Sequence, residues 1–220
     1  FTGDIDLGAQ AFPFMAWREG TVGGVAARLF RVSFTGELSF EINVPARYGL
    51  GLWTAFMNAG EKYGITPLGT EAMHVLRAEK GYIIVGQETD GTVTPADLGM
   101  DWIVSSKKDF IGRRSLGRTD TARPGRKQLV GLETEDAALV LPEGAHLVEN
   151  PGQEPPVPTI GHVTSSYHSA NLGRSIALAL VKGGRGRMGE AVHVALEGGA
   201  ARAVIRDPVF FDVQGSRLHG

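Results

Sequence analysis

Cysteine is absent from all 220 residues. Disulfide staples, thiolate metal sites and a cysteine nucleophile are therefore excluded, and the composition agrees with a reducing, cytoplasmic setting. Long apolar runs are lacking as well. The longest unbroken aliphatic stretch, Ile176 to Val181, falls far short of the roughly 20 residues a membrane helix needs. Neither sign of charge dominates: 22 Lys and Arg against 24 Asp and Glu leave a net −2, which gives no global case for nucleic acid. The chain opens at Phe1 without an initiator Met or a charged segment followed by an apolar one, and reads as a piece of a longer polypeptide. What is present is an ordinary globular composition, 42% apolar with 31 Gly and 11 Pro. At about 150 residues per domain, the length corresponds to one large or two small domains with a substantial core.

Hydrophobic period divides the chain in two. Val22 to Phe34 reads as one strand, Thr35-Gly36-Glu37 as a turn, and Phe40 to Val44 as a second strand with period two. Pro45 suits a first helical turn, Leu50, Trp53, Met57 and Gly60 recur at helical spacing with Phe56 beside them, and Gly64 is a left-handed stop. A second helix follows, with Thr70 as N-cap, Glu71 in its first turn and Gly81 as stop. Residues 86–106 read as loop, and Asp109 as the cap of a short helix through Leu116. Beyond a polar stretch at 118–126 only short strands are expected: 128–133, 146–148, 159–165, 176–181, 191–196 and 202–205. Strands so spaced, separated by Gly and Pro turns, indicate a small antiparallel barrel or sandwich. The fold class is α+β followed by a small β-barrel.

Motifs with local chemistry are few. Gly184-Arg185-Gly186-Arg187-Met188-Gly189 spells G-x-G-x-x-G, but Val192, Val194 and Leu196 behind it alternate as a strand. A dinucleotide site needs a helix there, so the segment reads as a glycine hairpin turn. The six histidines form no local ligand set, so no metal is expected. Gly-x-Ser-x-Gly and P-loop patterns are missing. Residues 107–127 hold eight Lys or Arg against two Asp, a net of +6. This segment is either a patch for an anionic group, such as a phosphate or a polyglutamate tail, or a solvated face.

Glu41 is the acid with most chemical interest. In the alternating strand, Phe40, Ile42 and Val44 share one face and leave Glu41 and Asn43 on the other. There Glu41 is either a plain solvent-facing residue or a carboxylate that accepts paired hydrogen bonds from the amidine-like edge of a planar heterocycle. Phe34 is the candidate stacking wall.

The stretch Phe34-Thr35-Gly36-Glu37-Leu38-Ser39-Phe40-Glu41-Ile42 resembles the aromatic-Thr-Gly-Glu-x-x-x-Glu-Ile signature of the tetrahydrofolate-binding aminomethyltransferase family. Leu76-Arg77-Ala78-Glu79-Lys80-Gly81, Thr94-Pro95-Ala96-Asp97-Leu98-Gly99-Met100, Asp109-Phe110-Ile111-Gly112 and Gly161-His162-Val163-Thr164-Ser165 resemble further landmarks in the same order. Within the family, residues 69–81 and 85–92 are similar to the branch formed by the alpha subunits of heterotetrameric sarcosine oxidases. A partial echo of the folate-binding proteins linked to tRNA modification lies in Lys80-Gly81-Tyr82 and Gly86-Gln87-Glu88, without their Cys.

The resemblance implies residues 1–117 as the C-terminal part of a folate-binding α+β domain, 118–126 as linker and 127–220 as a β-barrel. It implies that Glu41 hydrogen-bonds the pterin of tetrahydrofolate and that Phe34 stands where relatives place a tyrosine, keeping the ring and losing the hydroxyl. Met73 replaces a family arginine near the folate, so that contact is not carried over. The catalytic acid or base of relatives precedes this region, and no catalytic residue is assigned. For the sarcosine oxidase branch, the resemblance implies beta, gamma and delta subunits as partners, FAD, FMN and NAD elsewhere in the assembly, and one-carbon transfer to give 5,10-methylenetetrahydrofolate. Two other readings stay open. One is a glycine-cleavage aminomethyltransferase, against which Met73-His74 argues; the other is a structural module that no longer uses folate.

Overall fold

In the computed structural model, which describes residues 2–219, Gly23 and Gly24 both hold positive φ, 57° and 78°. Two such residues make the tight turn whose twist suits a hairpin. They join β1 (Trp17–Val22) to β2 (Val25–Phe30) with Val22 opposite Val25. The single strand expected over 22–34 is thus a hairpin with its turn near the start of that stretch and its second strand ending at Phe30. The antiparallel neighbour of β2 is β3 (Glu41–Asn43), reached through a coil that contains Thr35-Gly36-Glu37. Val22, Ala27 and Leu29 bury one face of this sheet with Phe12 and Leu52, and Phe40, Ile42 and Phe56 pack around them. Leu52 and Phe56, four apart, are the core-facing side of α1 (Gly49–Gly60), whereas Leu50 and Trp53 point to solvent. A left-handed Gly64 (φ 73°) ends the 3-10 turn after α1, as expected.

The chain divides into two compact units. One comprises the residues up to His74 and those from Gln214 onward, and the other spans Val75–Val213. The division falls inside α2 (Thr70–Glu79). Thr70 is the first residue of that helix rather than its cap, because the Met73 N–H already bonds the Gly69 carbonyl (3.3 Å). In the first unit, the C-terminal α4 (Ser216–His219) is tied by Arg31, whose guanidinium donates to the carbonyl oxygens of His219 (2.6 Å) and Phe12 (3.1 Å).

The second unit is built on a closed antiparallel barrel. Its strands are β4 (Lys127–Thr134), β5 (His146–Val148), β6 (Thr159–Ser169), β7 (Arg174–Lys182), β8 (Ala191–Leu196) and β9 (Gly199–Arg206). Around the barrel they run β4-β7-β6-β5-β8-β9. Every expected strand is present, several longer than expected. β7 and β8 are not neighbours, so Gly184 to Gly189 is not a hairpin turn; it is a 3-10 turn (Gly184–Arg187) in the connection between distant strands. Asp109 caps no helix either. A left-handed Gly112 (φ 95°) interrupts the path, and only a 3-10 turn, Arg113–Gly117, follows, with α3 (Thr119–Ala122) behind it.

Ile176 to Val181 is apolar throughout because β7 is covered on both faces. Ala177, Ala179 and Val181 fill the barrel, while Ile176, Leu178 and Leu180 pack outside it with Ala78, Val93, Leu98 and Phe210. On that outer side lies a buried polar network. Arg77, fully buried, donates to Glu88 Oε2 (3.0 Å), the Tyr82 carbonyl (3.1 Å), Gln87 Oε1 (3.2 Å) and Ser165 Oγ (2.5 Å). Ser165 Oγ in turn donates to Glu88 Oε1 (2.6 Å), and the Ile84 N–H donates to Glu88 Oε2 (2.7 Å). Glu79 accepts from Ser169 Oγ (2.6 Å) and Asn171 Nδ2 (2.7 Å), and Lys80 Nζ donates to the Asp212 carbonyl (2.6 Å). Between these anchors Gly81 is required: its φ is +66°, and a Cβ there would lie 2.6 Å from the Pro208 carbonyl oxygen.

Removing one partner of a buried ion pair leaves the other charged and unsolvated, which costs about 3–5 kcal/mol. Arg77→Ala is expected to destabilise the second unit by that amount in denaturant unfolding of the full-length chain. A change within about 0.5 kcal/mol, typical of a surface substitution, would show that the network does not hold the unit together.

Candidate functional site

The sheet of the first unit has a second face that its own core leaves open. Strand register places Trp17 opposite Phe30, and Phe30 opposite Glu41; one step along, Glu19 faces Arg28, and Arg28 faces Asn43. Side chains alternate across a strand, so these residues share the face away from Ala27 and Leu29. The rings of Trp17 and Phe30 have centroids 6.4 Å apart and planes tilted by 32°. The Arg28 guanidinium lies 5.3 Å from the Trp17 ring centre and pairs with Glu19 (2.8 Å). Glu41 is exposed. Among the described residues its side chain has neither a hydrogen bond nor an ion pair, in contrast to the acids of the second unit's network.

Chemically, this face offers a free carboxylate beside an aromatic strip. A carboxylate can accept two N–H bonds from one edge of a planar heterocycle, and flat rings offer a stacking or edge surface. Glu41 stands where its alternation with Phe40 and Ile42 puts it. Phe34 lies beyond the end of β2, in the coil between β2 and β3, and is 46% exposed. That coil is pinned by the Gly36 N–H on Ser33 Oγ (2.9 Å) and by Ser39 Oγ on the Val32 carbonyl (2.8 Å). The ring that sheet register sets beside Glu41 is Phe30, with Trp17 behind it; both escaped the sequence reading. Gly23-Gly24 is the signal that could have found them, since counting outward from a two-residue turn pairs Trp17 with Phe30.

The other landmark residues serve the frame. Arg77, Glu79 and Lys80 are buried and bonded as described above. Thr94 and Asp97 bond to each other across the start of the 3-10 turn Ala96–Leu98: the Thr94 N–H and hydroxyl both donate to Asp97 Oδ2 (2.8 Å each). Arg126 closes on Asp97 with Nη2 to Oδ2 at 2.6 Å and donates to the Thr92 carbonyl.

Residues 1–108 match the family model of the GCVT N-terminal domain, and residues 127–212 that of the glycine cleavage T-protein C-terminal barrel domain. The chain belongs to this family. It is similar to the sarcosine oxidase subunit alpha of Corynebacterium sp. (strain P-1), with 49% identity over 98% of this chain and 23% of that protein. The subunit alpha of Rhizobium meliloti (strain 1021) is 43% identical over 98% of this chain and 22% of its own length. An aminomethyltransferase of Clostridium botulinum (strain Okra / Type B1) is 35% identical over 94% of this chain and 54% of that protein. The chain therefore spans under a quarter of the sarcosine oxidase subunits and about half of the aminomethyltransferase. The crystal structure of the glycine cleavage system aminomethyltransferase T from Bartonella henselae superimposes with a TM-score of 0.77 at 24% identity, covering 90% of this chain and 53% of that one. No helix among the described residues is long and apolar enough to cross a membrane.

Burial acts to raise the pKa of Asp97, but the Arg126 and Thr94 hydrogen bonds and the Arg126 charge outweigh it and hold the carboxyl below its ordinary value of 3.8. A carboxyl depressed in the folded state adds stability that is fully present above the unfolded pKa and is lost as pH falls through the folded one. Asp97→Asn is thus expected to be less stable than the parent at neutral pH. Thermal unfolding followed by circular dichroism should show that gap closing below about pH 4; a gap independent of pH would contradict this role.

Proposed function

We propose that the chain is the folate-binding region of a sarcosine oxidase alpha subunit, which accepts the one-carbon unit of oxidised sarcosine onto tetrahydrofolate to give 5,10-methylenetetrahydrofolate. The observation that carries this reading is the unpaired Glu41 carboxylate on the open face of the β1-β2-β3 sheet, in a chain of the T-protein family. The residues present suit the pterin: Glu41 would accept from its amidine edge, and Phe34 would offer a ring without a hydroxyl. Tetrahydrofolate, when bound, supplies the amine nitrogens that take up the one-carbon unit. This region's own residues bind and orient it, and none is assigned a proton-transfer role. The oxidation itself belongs to flavin sites elsewhere in a cytoplasmic assembly with beta, gamma and delta subunits, holding FAD, FMN and NAD. Delivery within one assembly keeps a hydrolysable imine or formaldehyde away from bulk water.

The identity to sarcosine oxidase alpha subunits, 49% against 35% for the aminomethyltransferase, favours this branch. As the sequence boundary between folate region and barrel we retain 118–126, dividing 1–117 from 127–220, whose terminal residues 1 and 220 lie outside the described ones. Its support is that the two family matches leave 109–126 between them. Residues 75–126 fold with the barrel because Arg77, Glu79 and Asp97 bond to it or to its flanks.

Two measurements test the proposal. The native full-length protein, isolated with its partners, should show flavin absorption bands and additional subunits; a colourless single chain would move the glycine-cleavage aminomethyltransferase to the front. In the flavin-containing complex, Glu41→Ala should weaken tetrahydrofolate binding roughly tenfold to a hundredfold in equilibrium dialysis, the scale of a charged hydrogen bond. Unchanged affinity would remove Glu41 from the site, and no saturable binding to the parent would favour a purely structural module.

A further inference from the structure

The basic segment 107–127 ends at a concavity in the second unit. There residues 90–126 leave a pocket of about 290 Å³ against the outer side of the barrel. Leu180 and Lys182 of β7, Lys127 of β4 and His162 of β6 line the barrel side. This is near the lower end of ligand-pocket sizes, suited to a group of a few heavy atoms.

The loop side of the pocket holds Arg123 and Arg126, both ion-paired, against Asp97, Asp120 and Asp90, a net charge of −1 carried by Asp90. Arg126 pairs with Asp97 at 2.6 Å and with Asp120 at 3.5 Å, and Arg123 pairs with Asp120 at 2.9 Å. Asp90 Oδ1 accepts from the Thr92 N–H and hydroxyl, both at 2.7 Å. On the barrel side the charges are positive. Lys127 and Lys182 sit directly opposite each other in the β4–β7 register. Among the described residues neither ammonium has a carboxylate within ion-pair distance. Like charges in that position destabilise a strand pair unless something negative lies between them. Lys127 Nζ is 3.3 Å from His162 Nδ1. Burial, then Lys127 and His146, lower the His162 pKa against an opposing pull from Asp90. The imidazole is therefore neutral at neutral pH. With Lys127 donating to Nδ1, its proton is on Nε2, a spare donor.

We propose that this pocket is a binding site for a small oxyanion, a phosphate or carboxylate group, held between Lys127 and Lys182 with His162 as a hydrogen-bond donor. The anion converts two opposed ammonium groups from a repulsive pair into a clamp. All of its residues belong to the second unit, whereas Glu41 belongs to the first, so the site is independent of the folate reading.

Calorimetric titration of the full-length protein with inorganic phosphate, and separately with succinate, tests the assignment in a low-salt buffer free of competing oxyanions. Saturation by phosphate alone assigns a phosphate group, and saturation by succinate alone a carboxylate; either supports the site. Lys182→Gln should weaken the bound anion roughly tenfold, the scale of one charged hydrogen bond. Lys182→Arg should largely restore it, and the double variant Lys127→Gln/Lys182→Gln should abolish saturation with the circular dichroism spectrum unchanged. No saturable heat from either anion would overturn the proposal, as would equal affinity in parent and Lys182→Gln protein.

Discussion

The buried pair of Arg77 and Glu88 is the interaction on which the second unit depends. Withdrawing a guanidinium and a carboxylate from water costs several kcal/mol per ion, and the loss is offset only where geometry and further hydrogen bonds are good. Here both nitrogens of the Arg77 fork are engaged by Glu88, Tyr82, Gln87 and Ser165, while Nε alone has no partner. Glu88 is engaged on both oxygens. The pair thereby joins the end of α2, the connection through Ile84 and strand β6. Glu79 and Lys80 extend the same tie to Ser169 and Asp212. Because each polar group has one set of partners, the network admits one register of helix against barrel, a specificity that apolar contacts alone do not impose.

This separates frame from site. Arg77, Glu79, Lys80 and Asp97 spend their hydrogen bonds on Glu88, Ser165, Ser169, Asn171, Asp212 and Arg126, residues of the frame, with Arg77 Nε alone unpartnered. Glu41 is the reverse: exposed, unpaired and set beside Phe30 and Trp17 by strand register. A carboxylate that is to accept bonds from a bound ring must be left free by its own fold. Lys127 and Lys182 follow the same logic with the opposite sign of charge.

Period and turn chemistry made much of this legible. The barrel strands follow from alternation and glycine spacing, and the double burial of β7 is written in the unbroken run Ile176 to Val181. Glu41 is legible because strict alternation puts it on the face away from Phe40 and Ile42. Long-range pairing stayed hidden. Strict alternation from His162 would turn Ser165 into the barrel, but a bulge between Val163 and Ser165 shifts the phase and brings it to Arg77. The β7–β8 connection looked like a hairpin because its glycines supply turn geometry, while strand order is set by pairings far apart in sequence. Trp17 and Phe30 become legible only if Gly23-Gly24 is a two-residue turn, because a continuous strand over 22–34 leaves Trp17 unpaired with Phe30.

Hydrogen–deuterium exchange of the native full-length protein, with and without saturating tetrahydrofolate, tests the division of frame from site most directly. The account predicts added protection in peptides covering β1 to β3, residues 17–43, and unchanged, already slow exchange across 75–88. Protection confined to the second unit, or none at saturation, would contradict it.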